Sequence, residues 1–296
     1  MKNSKAIICA LARDCGQAIK KNSPRIEKLR KQFAECDVVI IENDSKDNTK
    51  QVLADWAEKS DGVHVISNDF GTLTIPPKTT TTILPEYSYH RIEKMARYRN
   101  MYLDYIDQQC KDYDYLIVLD IDVPWFQYKN ITHIINEAPD DWGAISANGR
   151  TFYNLRYRYY DIYAFSETKT EKMDIHILKG DGYWQETLKN RKLISKKAYT
   201  SVYSAFGGAA IYNYSTIKGL RYHVLLNKDE RIEAFCEHVS LNDAIINKGY
   251  KVYVARDFDL RIGVFNFIYE MKILLFKNRY MRNFLVKHKY AKDIKQ

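Results

Sequence analysis

Apolar residues in this chain gather in short runs set between polar segments of helical period. Ala6–Ala12, Val38–Ile41, Val63–Ile66 and Tyr115–Leu119 are near-continuous apolar stretches, the pattern of strands covered on both faces. Between them Ser23–Phe33, with Pro24 near its start, Lys50–Lys59 and Arg91–Ile106 read as helices, and Ile92, Met95, Tyr102 and Ile106 share one face of the last. Alternation at this spacing predicts an α/β fold with a mainly parallel sheet flanked by helices. Beyond Asp122 the rhythm loosens: Ile131–Ala138 and Cys236–Lys248 read as helices, Trp142–Ser146, Ser204–Tyr212 and Val252–Ala255 as strands. Residues 71–87, with Pro76-Pro77 and a threonine run at 79–82, predict a long surface loop. Lys169–Tyr183 is polar, with a turn at Gly180-Asp-Gly182.

At 296 residues, 46% of them hydrophobic, the chain is long enough for one large α/β domain or two closely packed halves. The net charge of +9 suits an anionic partner: nucleic acid, an anionic membrane or a phosphorylated substrate. Twenty-four tyrosines, beside 12 Phe and 4 Trp, supply polar-tipped rings for a ligand groove or for the edges of the core. Five cysteines at unpaired spacings predict reduced thiols rather than a zinc site. No leader and no membrane-spanning run is visible, so the expected location is the cytoplasm or the inner face of the cytoplasmic membrane.

The chemistry concentrates at Tyr115-Leu-Ile-Val-Leu-Asp-Ile-Asp122, where two carboxylates follow an apolar strand. Residues i and i+2 face the same side, so Asp120 and Asp122 converge where a parallel sheet forms its ligand crevice. Two hard oxygen donors suit Mg²⁺ or Mn²⁺, with substrate phosphates completing the shell. Strand-terminating turn acids are the plainer reading of the same pair.

The ordered set of Glu42-Asn-Asp-Ser-Lys-Asp-Asn-Thr49, Ala96-Arg-Tyr-Arg-Asn100, Leu119-Asp-Ile-Asp122, Gly207-Gly208 and Cys236-Glu-His-Val-Ser-Leu-Asn242 resembles the glycosyltransferases of the GT-A, Rossmann-like nucleotide-sugar fold. Bacterial capsule and lipopolysaccharide enzymes and the fungal capsular α-mannosyltransferase group are the nearest likeness, over residues 5–260. The resemblance implies one catalytic domain over residues 1–260, with a nucleotide-binding half to about 125, a less regular acceptor-side half, and a basic aromatic extension from 261 to 296. It implies a metal-dependent transfer of a hexose or related sugar from a nucleotide diphosphate to a hydroxyl of a surface glycan or lipid-linked acceptor. Asp120 and Asp122 then match the metal-binding pair, with Asp122 the direct ligand. Glu42 and Asp44 match the base- and ribose-binding loop, and Asp47 or Thr49 caps the next helix. Arg99-Asn100 matches the pair beneath the nucleotide, with Arg99 on the diphosphate. Arg13 is a second anion-facing residue, and Gly207 and Gly208 form the floor under the donor sugar.

Glu237 is the carboxylate placed to take the acceptor proton in an inverting reaction, whereas a retaining one uses it only for positioning. His238, where many relatives carry Asp, stands as base, phosphate ligand or metal ligand. Asp181, with Tyr183 or Trp184, suits a sugar or a simple turn. Arg256, Asp257 and Arg261 are candidates to close over the diphosphate, and the threonine-rich loop with residues 153–183 for the acceptor site. A nucleotidyltransferase that makes nucleotide sugars is the alternative enzyme, but its glycine-rich loop after the first strand is missing. A basic nucleic-acid-binding domain is the alternative of another class; no recognition module supports it. The segment from Phe265 to Lys289 holds seven basic residues and one acid, the composition of an amphipathic segment on an anionic membrane or of a terminal helix on the core.

Overall fold

The computed structural model describes residues 3–263, apart from Thr79, Thr81 and Cys110, together with 271, 275 and 279–287. Among the described residues ten strands form one sheet: β1 (Lys5–Ala12), β2 (Glu35–Asn43), β3 (Val63–Asn68), β4 (Tyr115–Leu119), β5 (Trp125–Phe126), β6 (Trp142–Tyr153), β7 (Arg156–Tyr159), β8 (Tyr199–Val202), β9 (Ala209–Asn213) and β10 (Lys251–Arg261). The helices are α1 (Gly16–Arg30), α2 (Thr49–Lys59), α3 (Tyr89–Gln108), α4 (Ile131–Asn136), α5 (Ile175–Leu178), α6 (Gly180–Ile194), α7 (Tyr214–Ile217), α8 (Glu237–Asn247) and α9 (Arg279–Lys287).

The strand order is β3-β2-β1-β4-β9-β6-β10-β5, with β7 added to β6 and β8 to β10. From β3 to β4 every pairing is parallel, as the apolar runs predict. Beyond β4 the expectation of a mainly parallel sheet is corrected. β9 runs antiparallel between β4 and β6, and β5, β7 and β8 also join antiparallel, so the sheet is mixed. Two reversals cancel, however, and β6 and β10, parallel to each other, run in the same direction as β1 and β4. Their carboxyl ends therefore lie along the same edge as those of the first four strands.

Both faces of the sheet are covered. Ile7, Cys9, Leu116, Val118 and Tyr212 point into one core with Tyr102, Ile106 and Leu241 from α3 and α8. Ile8, Ala10, Ile117, Leu119 and Ile211 point into the other with Ile19, Ile26, Leu53 and Ile134 from α1, α2 and α4. This period-2 partition explains why the strands lack polar alternation.

Three local expectations change. The helix expected from Ser23 begins at Gly16 and carries Pro24 inside it; burial of Ile19, Asn22 and Ile26 outweighs the one missing N–H. Gly180-Asp-Gly182 is the first turn of α6, not a free turn. Arg256, Asp257 and Arg261 belong to β10 rather than following it. The expected membrane-facing segment from Phe265 falls largely outside the described residues; within it, α9 exposes Tyr280 and Phe284. Among the described residues no helix is long and apolar enough to cross a membrane.

Candidate functional site

At the carboxyl ends of β1, β2 and β4, a cavity of about 300 Å³ opens where β4 and β2 leave opposite sides of β1. That is the switch point at which open α/β sheets take ligands. Its walls include Arg13, Asn43, Arg91, Lys94, Tyr98, Asp120 and Asp122. The expected convergence of the two aspartates is therefore present, and Arg13 joins them. Asn43 lies inside the quoted β2 loop but was given no role there, and Arg91 and Lys94 had no motif to mark them: both are on α3, brought over the pocket by burial of Ile92 and Ala96.

The turn bearing the two aspartates is fixed from behind. Asn22, fully buried in α1, donates from Nδ2 to the carbonyls of Ile121 (2.8 Å) and Val123 (2.7 Å). Arg25 donates to Asn22 Oδ1 at 2.7 Å and to the Pro124 carbonyl at 3.1 Å. On the other side the Asp120 amide donates to the Gly208 carbonyl at 2.9 Å. Gly207 and Gly208 have φ of +66° and +90°, and a Cβ on Gly207 would collide with the Ala147 carbonyl. These glycines let the chain pack closely behind Asp120; neither lines the cavity.

Asp120 is pushed up to about 8, first by burial and then by Asp122, Asp161 and Glu237, with Arg99 acting in the opposite direction. Arg99 Nη2 lies 3.9 Å from it. Arg99 itself is buried, donates from Nε to Glu237 Oε1 at 2.8 Å and lies over the rings of Phe206 and Tyr222. Burial alone would raise Glu237, but the Arg99 guanidinium beside it holds it at about 2. Arg99 and Glu237 thus satisfy each other behind the cavity. Asn100 is taken up by the Tyr222 backbone, donating to its carbonyl at 2.9 Å and accepting from its amide at 2.8 Å.

His238 is buried against Phe206, ring centroids 3.7 Å apart. Burial keeps it neutral, well below the ordinary histidine range. Among the described residues no group of three His, Cys, Asp or Glu is arranged to hold a metal, so His238 is not brought in as a third ligand. Two carboxylates on a cavity wall, one of them raised by burial and then by its like-charged neighbours, still fit a hard divalent cation whose remaining positions a diphosphate would fill.

The β2 loop is committed to the fold. Glu42 is fully buried and accepts from the Ser45 amide at 2.9 Å and from the Ser67 hydroxyl. Burial would raise Asp44, but hydrogen bonds from the Thr72 hydroxyl, the Asn43 amide group and the backbone of Gly71 and Thr72 hold it well below the usual range. The segment Gly71–Thr74 is thereby tied down: Arg13 donates to the Thr72 carbonyl at 2.7 Å and Lys94 to that of Thr74 at 3.1 Å. A ribose or base contact by Glu42 or Asp44 requires exchange of these bonds. Asp47 accepts from the Thr49 and Gly16 amides, joining α2 to the β1 loop.

Asp161 was not singled out in the sequence, where it is one acid in an aromatic stretch. It accepts from the Gly207 amide at 3.0 Å and helps to raise Asp120, and is itself pushed up to about 6, mainly by burial and further by Glu237. Trp184 is stacked on Tyr153, centroids 3.6 Å apart, and the Tyr183 hydroxyl donates to the Tyr160 carbonyl. Arg256 and Asp257 pair with each other away from the aspartate cavity.

The model of the family described as Cryptococcal mannosyltransferase 1 matches residues 5–241. The chain belongs to this family. Membership sets the cavity within a glycosyltransferase-like enzyme related to capsule-type sugar transferases. Comparison with the curated proteins finds no match. Among solved structures, the mannosyltransferase PcManGT from Pyrobaculum calidifontis, in complex with GDP-Man and Mn²⁺, matches at 12% identity and a TM-score of 0.46, over 98% of this chain and 66% of its own. Residues 1–349 of S. aureus TarS match at 12% and 0.45, over 98% and 75%, and the same protein with UDP at 13% and 0.45, over 97% and 72%. This chain thus spans 66% of the length of the Pyrobaculum protein. With identities this low and TM-scores below 0.5, the family match is the finding that places the chain.

Proposed function

We propose that this family member transfers a sugar from a nucleotide diphosphate donor to a hydroxyl of a glycan or lipid-linked acceptor. The observation that carries the reading is the mixed-charge cavity at the switch point, with Asp120 and Asp122 on one wall and Arg13, Arg91 and Lys94 on the others. A diphosphate needs both: cations to bind its oxygens directly, and carboxylates to hold a divalent ion against them. Asp122 and Asp120 would hold Mn²⁺ or Mg²⁺. The ion would neutralise the charge that builds on the departing nucleotide diphosphate.

The chain's own residues do the rest. Arg91 meets the phosphates at the mouth of β1, Arg13 and Lys94 join it by exchanging their bonds to the Thr72 and Thr74 carbonyls, and Asn22 and Gly208 keep the aspartate turn rigid. The C1–O bond to the diphosphate breaks as the acceptor oxygen bonds to C1, and the acceptor proton passes to a carboxylate or to the departing phosphate oxygen. Glu237, locked to Arg99, is a weak base in this setting. Asp161, raised and partly exposed, is the more basic carboxylate near Asp120.

A panel of nucleotide sugars assayed for donor hydrolysis and transfer, with and without Mn²⁺, tests the reading. Asp122→Asn should lower turnover by about 10²–10³ while leaving the fold intact, the loss typical of one electrostatic stabiliser. Absence of binding and turnover across the panel, or an Asp122→Asn enzyme as active as wild type, defeats it.

A further inference from the structure

A second cavity, of about 230 Å³, lies on the same carboxyl edge of the sheet, and its lining begins two residues after Asp122, at Pro124 and Trp125. Arg150, Tyr157 and Arg261 complete the walls that matter. Arg150 on β6 and Arg261 on β10 are register partners in the parallel pair, and Arg261 is also the register partner of Trp125 on β5. Two guanidinium groups are thus placed side by side on one sheet, an arrangement that costs stability unless an anion offsets it.

The protein supplies only part of that offset. Asp259 pairs with Arg150 through Nη2, while the buried Arg150 Nε has no partner. Among the described residues no ion pair involves Arg261; its guanidinium lies 4.9 Å over the Trp125 ring, as that of Arg150 lies 4.8 Å over Tyr157. The rings fix the planes of both groups without neutralising them and leave N–H edges to face a ligand. Arg191 adds to the excess: burial and then Arg150 lower its affinity for its proton.

We infer that this cavity is a subsite for an acidic group, carboxylate or phosphate, on the acceptor glycan. The inference rests on the transferase reading for the word acceptor; the anion site itself does not. Planar arginines on aromatic supports match planar or tetrahedral oxyanions with bidentate geometry, and the rings flanking them suit the apolar face of a sugar. The position also fits: an acceptor whose hydroxyl meets the donor at Asp122 extends past Pro124 into this cavity.

Three probes test it by calorimetric titration of the full chain: a hexosyl-glucuronic acid disaccharide, its neutral hexosyl-hexose counterpart, and a hexose 6-phosphate. At least one acidic probe should bind about tenfold or more tightly than the neutral disaccharide, with the preference weakening as salt rises. The tighter of the two acids identifies carboxylate or phosphate as the source. Arg261→Gln should erase most of that preference; Arg150→Gln should do the same but also strands Asp259, so the exposed Arg261 is the deciding position. Equal binding of acidic and neutral probes, or an unchanged preference in Arg261→Gln, overturns the subsite. Donor hydrolysis by the wild-type chain, measured in parallel, reports on the transferase reading separately: hydrolysis without acid preference defeats the subsite alone, and acid preference without nucleotide-sugar turnover defeats the transferase reading alone.

Discussion

Arginine is used in two opposed ways on the two sides of the aspartate turn. Under α8, Arg99 is 4% exposed, tied to Glu237 at 2.8 Å and sandwiched by Phe206 and Tyr222. At the outer edge, Arg150 and Arg261 stand as neighbours supported by rings, and only Arg150 has a carboxylate partner, Asp259, among the described residues. A guanidinium whose hydrogen bonds are met inside the protein holds elements together, here α3 against α8. One that the protein supports but does not neutralise is open to a ligand. The resemblance assigned Arg99 to the diphosphate, whereas the structure gives the cavity Arg13, Arg91 and Lys94 and keeps Arg99 for the pair behind it.

The sharpest way to break this contrast is to remove the buried cation. Arg99→Ala strands Glu237 in an apolar setting and should cost about 3–5 kcal/mol in urea unfolding, whereas Arg99→Met with Glu237→Leu should recover most of the loss. The pair also predicts an acid limb. Glu237 sits below its ordinary value of 4.5, at about 2, so the stability it contributes is complete above 4.5 and is lost as pH falls toward 2. In the Met/Leu double variant that limb should disappear. A single variant as stable as wild type would show that Arg99 is free for other work.

Next in size is the clamp on the aspartate turn. Asn22→Ala leaves two buried carbonyls, those of Ile121 and Val123, without their donor, at a cost of about 1–3 kcal/mol. Because the turn also carries Asp122, the same variant should lower donor turnover more than it weakens donor binding. Unchanged kinetics with lowered stability would separate the clamp from the chemistry.

The clamp also marks where sequence reasoning stopped. The first four strands were legible because each holds a near-continuous apolar run followed by polar residues, so Asp120 and Asp122 could be set at a strand end without knowing their partners. Asn22 was not, since it stood just before the helix expected from Ser23, one amide after two lysines with nothing to show that it is buried. Asp44 and Glu42 looked like ligands because a cluster of acids on a loop has the same composition whether it meets ribose or its own backbone. The antiparallel β9 could not be separated from a parallel strand, since Ala209–Tyr212 is apolar on both faces in either orientation. Arg150 and Arg261 lie 111 positions apart by their numbers, and only the β6–β10 register makes them a pair.

A smaller effect tests whether the stack beneath Arg99 is structural. His238 is buried, neutral and packed on Phe206, its pKa pushed well below 6.5 by burial. The unfolded chain takes up a proton near 6.5 and the folded chain does not, so this residue contributes stability above that pH and loses it as pH falls. The slope is about 1.4 kcal/mol per pH unit once the unfolded imidazole is protonated. His238→Phe keeps a ring against Phe206 and should flatten stability between about pH 6.5 and 5. Transfer activity lost at neutral pH in a stably folded His238→Phe would instead give the imidazole a role in the chemistry.

The smallest expected change is the most discriminating for the outer edge. Arg261 is exposed and rests on Trp125, so Arg261→Gln should move stability by no more than about 0.5 kcal/mol, the range of ordinary surface substitutions. Relief of repulsion from Arg150 would even make the change slightly favourable at low salt, and salt should erase that gain. Thermal unfolding of the two proteins at low and high ionic strength measures it. A loss well beyond 0.5 kcal/mol would mean that Arg261 is a structural group like Arg99, and the contrast between a satisfied and an available guanidinium would fall with it.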